Sequence, residues 1–315
     1  MNKKIEKILY LPNPRGFCAG VERAINIVEL SLEKYGPPIY VRHEIVHNPW
    51  VVKDLESKGV VFVDELDDVP KDARVIFSAH GVSSKVKEEA KVKEMPFIDA
   101  TCPLVLKVHI EAKRHFENGA HIFLIGHKGH PEVDGTMGQI PIESITLIEN
   151  LSDIDNLKAK YFNKVALITQ TTLSVDDTSK LIKALKNKFP NLIEPPRVDI
   201  CYATTNRQAA VKSIAKKCDA IYVIGGENSS NSLRLVEVAS QSGCKNTFLI
   251  SEINSINWDE MEDFHSIGLT ASASAPEVLI NEFLDLFKNK FEVKIEKSTI
   301  ADENISFKIP KELRE

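Results

Sequence analysis

Three of the five cysteines in this chain share a local pattern. Cys18 in KILYLPNPRGFCAGVERA, Cys102 in FIDATCPLVLKVHIEA and Cys201 in RVDICYATTNRQAAV each end an apolar run and open a helical pattern. A thiol at the start of a helix is biased toward thiolate, the form that ligates metal. The three are spaced 84 and 99 residues apart, far from the short spacing of zinc knuckles or ferredoxin-type runs, so their shared position, not their spacing, makes them a set. Three thiolates brought together fill three corners of a tetrahedral or cubane metal site and leave the fourth open for chemistry. Cys218 continues the helical stripe Val211, Ile214, Ala215 and reads as a core thiol. Cys244, in SGCKN, has no counterpart and is left out of the site.

Polar loops accompany the cysteines. His47-Asn48-Pro49, His130-Pro131-Glu132 and Ser229 to Ser232 form one set; His80-Gly81, Thr171-Thr172 and Ser272 to Ser274 form another. Three imidazoles, several hydroxyls and amides, and the helix starts that follow them suit a compact diphosphate, with His47 and His80 able to add positive charge. Glu132 is the carboxylate among these loops and is the expected acid where a hydroxyl must leave as water. His43, His109, His115, His121, His127 and His265 read as surface or packing histidines.

Positioning such scattered residues requires a repeat. Twelve β-branched runs fall into three sets of four, each ending in a polar turn and most followed by a helical pattern. Val21, Ala24, Ile25, Val28 and Leu32 give the first helical stripe. Boundaries follow at 1–97, 98–196 and 197–284, with Pro195-Pro196 at the second junction and a charged extension over 285–315. Alternating strands and helices imply mostly parallel sheets with ligands beyond the strands' carboxyl ends. Three α/β copies about a pseudo-threefold axis would turn their loops toward one cavity.

Composition narrows the class. Hydrophobic residues at 43% and charged residues at 27% describe a globular chain, and no apolar run reaches the length of a membrane span. Residues 1–10 lack a signal peptide's apolar length, and the odd, sparse cysteine set is no disulfide framework, so a reduced, cytoplasmic protein is expected. A net charge of −5 argues against a nucleic-acid partner. Two rivals share these features: a non-catalytic zinc or phosphometabolite-binding protein, and a metal-dependent dehydratase or synthase.

RGFCAGV, EIVHNP, FSAHGVS, DATCPLV, GHPEV, TQTTLSVDDT, ICYATTNRQ, NSSNS and ASAP occur in this order along nearly the whole chain. Together they resemble the signature segments of the 4-hydroxy-3-methylbut-2-enyl diphosphate reductase family. The resemblance implies an α/β trefoil around a 4Fe-4S cluster held by Cys18, Cys102 and Cys201, whose fourth iron is open to the substrate's hydroxyl. It implies diphosphate binding by His47, His80, His130, Ser229, Ser230, Asn231 and Ser274. Thr171 and Glu132 would stand near the hydroxyl, with Glu132 relaying protons and His130 beside it. Isopentenyl and dimethylallyl diphosphate are the implied products and ferredoxin or flavodoxin the implied electron donor; a monomer is expected, the reductase alone without the RNA-binding-type extension of some members. Glu227, just before NSSNS, departs from the basic or neutral residue of the family pattern.

Overall fold

The computed structural model describes residues 4–159, 162–195 and 198–314. Residues 1–3, at the head of the segment read for a leader, and 196 and 197, at the second repeat junction, lie outside them. Among the described residues strands alternate with helices, and three sheets form, in which every strand pair is parallel. The chain divides into two compact units. One comprises Met1–Ala19, His47–Lys53 and Tyr202–Ile305, the other Gly20–Val46, Asp54–Cys201 and Ser306–Glu315.

The first unit holds a sheet in the order β10 (Asn246–Ile250), β9 (Ala220–Ile224), β11 (Ser266–Ala271), β1 (Glu6–Asn13) and β12 (Glu292–Thr299). Strand β9 is buried at every residue, as a parallel strand covered on both faces must be. Leu9, Tyr222 and Leu269 meet Phe283 and Phe287 of α10 (Glu277–Lys290) on one side. On the other, Ile221 and Val223 pack with Val211, Ile214 and Ala215 of α8 (Tyr202–Ala215), with Cys218 just beyond it, and with Leu235 and Val238 of α9 (Ser230–Gln241). The stripe expected there is therefore core, Cys218 included. Residues after 284, expected as an extension, complete α10 and supply β12, which pairs with β1 from Glu6↔Glu292 to Asn13↔Thr299. Lys7 is buried at the far end of β1, its ammonium donating to the carbonyls of Met261, Glu262 and Phe264 at 2.9, 2.7 and 2.6 Å.

The second unit holds two sheets. One runs β3 (Val60–Val63), β2 (Ile39–Arg42), β4 (Val75–Phe77), β5 (Phe97–Asp99); the other runs β7 (Ile145–Ile148), β6 (His121–Ile125), β8 (Val165–Thr169). Helices α1 (Ala19–Tyr35), α3 (Ser84–Val92), α4 (Pro103–Glu117), α5 (Pro131–Met137), α6 (Leu151–Asn156) and α7 (Val175–Lys188) connect the strands, and α2 (Pro49–Ser57) is divided between the two units after Lys53. Along β6 the faces alternate: Ile122 and Leu124 join Val108 and Ala112 of α4, while Phe123 and Ile125 join Leu181 and Leu185 of α7. In α1 the buried line is Ala24, Ile27, Val28 and Ser31, whereas Val21, Ile25 and Leu32 are half-buried. The expected stripe is thus rotated by part of a turn, because Ser31 satisfies its hydroxyl on the Ile27 carbonyl at 2.6 Å and can go inside.

First runs pair across the repeat. Strand β5 lies beside β4 and β1 beside β11, so each joins the last strand of the preceding set of four. The third first-run, from Val198 to Cys201, forms no strand. Its Asp199 instead accepts the Thr169 N–H through the side chain, at 3.0 Å, in place of a ladder carbonyl.

Candidate active site and cysteine turns

Each of the three cysteines is tied to the same point of its sheet. The Cys18 N–H donates to the Ala273 carbonyl (3.3 Å), the Cys102 N–H to the Ala79 carbonyl (2.9 Å) and the Cys201 N–H to the Thr171 carbonyl (3.0 Å). Ala273, Ala79 and Thr171 all lie two residues beyond a strand end, after β11, β4 and β8. The equivalence inferred from sequence is therefore a backbone fact, and each thiol precedes a helix. All three are partly exposed, whereas Cys218 and Cys244 are buried. Burial pushes the Cys218 thiol up to about 12 and raises that of Cys244 as well, which keeps both protonated and inert. Among the described residues no group of three or more His, Cys, Asp or Glu side chains is placed so as to hold a metal ion.

The first unit holds a group of hydroxyls, an amide and the His47 backbone. Ser229 caps α9 by accepting the Ser232 N–H at 3.3 Å. Asn231 links two loops, its Oδ1 accepting the Ala273 N–H (2.9 Å) and its Nδ2 donating to Thr204 Oγ1 (3.3 Å). Ser274 donates to the His47 carbonyl at 3.0 Å and lies 3.3 Å from the Ser272 hydroxyl. Gly226 is needed for this approach, since a Cβ there would stand 2.8 Å from the His47 carbonyl oxygen. Ser230 is buried in the first turn of α9. Glu227 is exposed and accepts from Ser251 at 3.3 Å, away from these donors.

The second unit holds an acid and two imidazoles. Glu132, 2% exposed, receives the Thr171 N–H at 2.7 Å on one oxygen and the Thr171 hydroxyl at 2.9 Å on the other. Burial drives its carboxyl up to about 7; the two Thr171 bonds offset part of that, and the Asp199 charge adds to it. Such an acid holds its proton near neutrality and can release it. His130 Nδ1 accepts the Glu132 N–H at 3.1 Å, which leaves the proton of the neutral ring on Nε2. Its ring meets that of His80 edge-on, centroids 5.7 Å apart, and Ser78 Oγ lies 3.3 Å from His80 Nδ1. The tight turn at Gly81, φ +80°, places His80, and a Cβ there would lie 2.7 Å from His109 Cε1. His109 itself is buried and pushed down to about 4 by desolvation, a packing ring as expected.

Sequence reasoning missed Arg23, Lys107, Asp199, Thr204 and Arg207, which support these turns. For Arg207 a signal existed: it lies on the 3.6-residue stripe of Thr204, Gln208, Val211 and Ile214, all buried.

Within the second unit, strand-end loops that bring the Thr171 hydroxyl and the His130 ring to a buried carboxyl, with His80 against His130, suit an α/β enzyme acting on a small polar molecule. The family model described as LytB protein matches residues 9–288. A 4-hydroxy-3-methylbut-2-enyl diphosphate reductase of Paracoccus denitrificans (strain Pd 1222) is 54% identical over 315 residues, covering 100% of both chains, and one of Ruegeria sp. (strain TM1040) is 53% identical over 306 residues, covering 97% of each. The solved E-1-hydroxy-2-methyl-but-2-enyl-4-diphosphate reductase of Plasmodium falciparum superposes with a TM-score of 0.93 at 42% identity, over 99% of this chain and 97% of that one. The chain belongs to the LytB protein family, and it is an oxidoreductase with the α/β fold expected from its sequence. Among the described residues no helix is long and apolar enough to cross a membrane.

Proposed function

We propose that this chain reduces (E)-4-hydroxy-3-methylbut-2-enyl diphosphate to isopentenyl and dimethylallyl diphosphate, the terminal reduction of the non-mevalonate pathway. In that reaction the allylic C–O bond breaks, two electrons and two protons enter, a C–H bond forms and water leaves. The observation that carries this reading is the common backbone anchor of Cys18, Cys102 and Cys201. Three equivalent, partly exposed thiols at helix starts fit a 4Fe-4S cluster with three protein ligands and an open fourth iron. When bound, that cluster supplies electrons one at a time and Lewis acidity at the alcohol end.

The chain's own residues supply position and protons. His47, His80, His130, Ser229, Ser230, Asn231 and Ser274 hold the diphosphate, which fixes the reach of the alcohol. Glu132 stores the proton for the departing hydroxyl, supported by its raised carboxyl. The Thr171 hydroxyl, 2.9 Å away, can accept that proton and donate its own onward, so proton transfer needs no rotation of the acid. Electrons come from a ferredoxin or flavodoxin. The protein acts as a cytoplasmic monomer, and residues 1–97, 98–196 and 197–284 are its repeated units.

An anaerobic assay tests this. Two equivalents of a reduced one-electron dye are oxidised per allylic diphosphate consumed, with both isomeric diphosphates formed; product without dye oxidation would point to a dehydratase, and a colourless, inactive preparation to a zinc protein.

A further inference from the structure

Resting on the reading that the three cysteines hold one cofactor, we infer that Arg23, Lys107 and Arg207 are positioning residues that brace the cysteine turns in a closed cycle. Each lies five or six residues after one of the cysteines, on the helix that the cysteine precedes. Each reaches the residues just before a different cysteine. Arg23, after Cys18, donates to the carbonyls of Ala100 (3.3 Å) and Thr101 (3.1 Å), directly ahead of Cys102. Lys107, after Cys102, donates to the Asp199 carboxylate at 3.0 Å, two residues ahead of Cys201. Arg207, after Cys201, donates to the carbonyls of Gly16 (3.0 and 2.7 Å) and Phe17 (3.1 Å), directly ahead of Cys18.

Helix geometry explains the offset. Five residues along a helix rise about 7.5 Å and complete about one and a half turns, so a long cation there leans back past the helix start toward a neighbouring loop. Carbonyls are met at two turns. Before Cys201, where no strand forms, the Asp199 carboxylate takes their place and its second oxygen holds Thr169. Arg207 is fully buried and spends every guanidinium N–H, the remaining ones on the Ala203 carbonyl and on Glu303. Arg23 is fastened in the same region of the chain, through the Lys308 carbonyl at 2.9 Å. Charge-assisted bonds to consecutive carbonyls fix a turn more stiffly than neutral ones. The thiol that follows is then presented in one direction before any metal arrives.

The test uses the full chain, reconstituted anaerobically, with iron release to a chelator followed by visible absorbance. Arg23→Gln and Lys107→Gln each release iron about 10-fold faster than the parent, the size of effect seen when residues behind metal ligands are removed. Arg23→Lys, which keeps the charge, lies between. The paramagnetic resonance of the reduced protein changes in both Gln variants. Lys7→Met, about 20 Å from the Cys18 end of β1 by strand rise, lowers the thermal midpoint of the metal-free chain and leaves both readouts alone. Release from the two Gln variants at the parent rate, with unchanged resonance, overturns the bracing role. Iron retained by Cys102→Ser overturns instead the ligand assignment, and the braces with it.

Discussion

Thr171 grips both oxygens of Glu132, one through its backbone N–H and one through its hydroxyl, at 2.7 and 2.9 Å. This pair sets how a wholly buried carboxyl behaves near neutrality. The N–H bond favours the anion, burial favours the acid, and burial wins.

Glu132→Gln should keep iron and bind substrate but turn over about 100-fold to 10,000-fold more slowly, the range for loss of a general acid. Stability should move the other way. Because the folded carboxyl is raised from 4.5 to about 7, the folded state binds the extra proton between those values and loses stability as pH climbs through them. The ionised acid costs about 3 kcal/mol above pH 7, a cost the amide lacks. Thermal melts should therefore show the variant ahead of the parent at pH 8 and level with it at pH 4; equal midpoints at both would count against a raised Glu132.

Thr171→Val removes a donor to the anion and leaves the N–H in place. A hydrogen bond to a charged group contributes about 1.5–3 kcal/mol, so the Glu132 carboxyl should rise by about one pH unit or more. The alkaline limb of the pH–rate profile should move up accordingly while turnover falls. An unmoved limb would take Thr171 out of the proton path.

Thiol labelling separates the two kinds of cysteine. In the metal-free chain at pH 8, iodoacetamide should modify Cys18, Cys102 and Cys201, and should spare Cys218 and Cys244 until the protein unfolds. Cys218→Ser and Cys244→Ser should keep the iron that Cys102→Ser loses, and mass spectrometry with iron analysis checks both statements.

Gly81→Ala forces a side chain into φ +80° and against the His109 ring. The expected penalty is about 2–3 kcal/mol, read from the denaturant midpoint. Displacement of His80 should also raise KM for the diphosphate more than it lowers kcat.

Much of this was legible before any coordinates. The apolar runs that became β6, β8, β9 and β11 are continuous and β-branched, and their polar ends announce loops. The cysteine equivalence was visible because each thiol ends such a run. Pairing was not visible: nothing in KILYLPN says that β1 lies beside β11 rather than next to the runs that follow it. Nor could periodicity show that Val198 to Cys201 would forgo a strand, since the Asp199 side chain replaces a ladder bond only once Thr169 is beside it. Arg207 went unread for a related reason: a charge on an apolar stripe looks like a boundary until the carbonyls that receive it are known.

Strand β1 is synthesised well before its neighbours, β11 and β12, which follow about 250 residues later. At about 5–20 residues per second, that leaves Leu9 and Leu11 without their sheet for roughly 13 to 50 s of synthesis. A chaperone that shelters this segment on the nascent chain should raise the yield of soluble protein more than one acting after release.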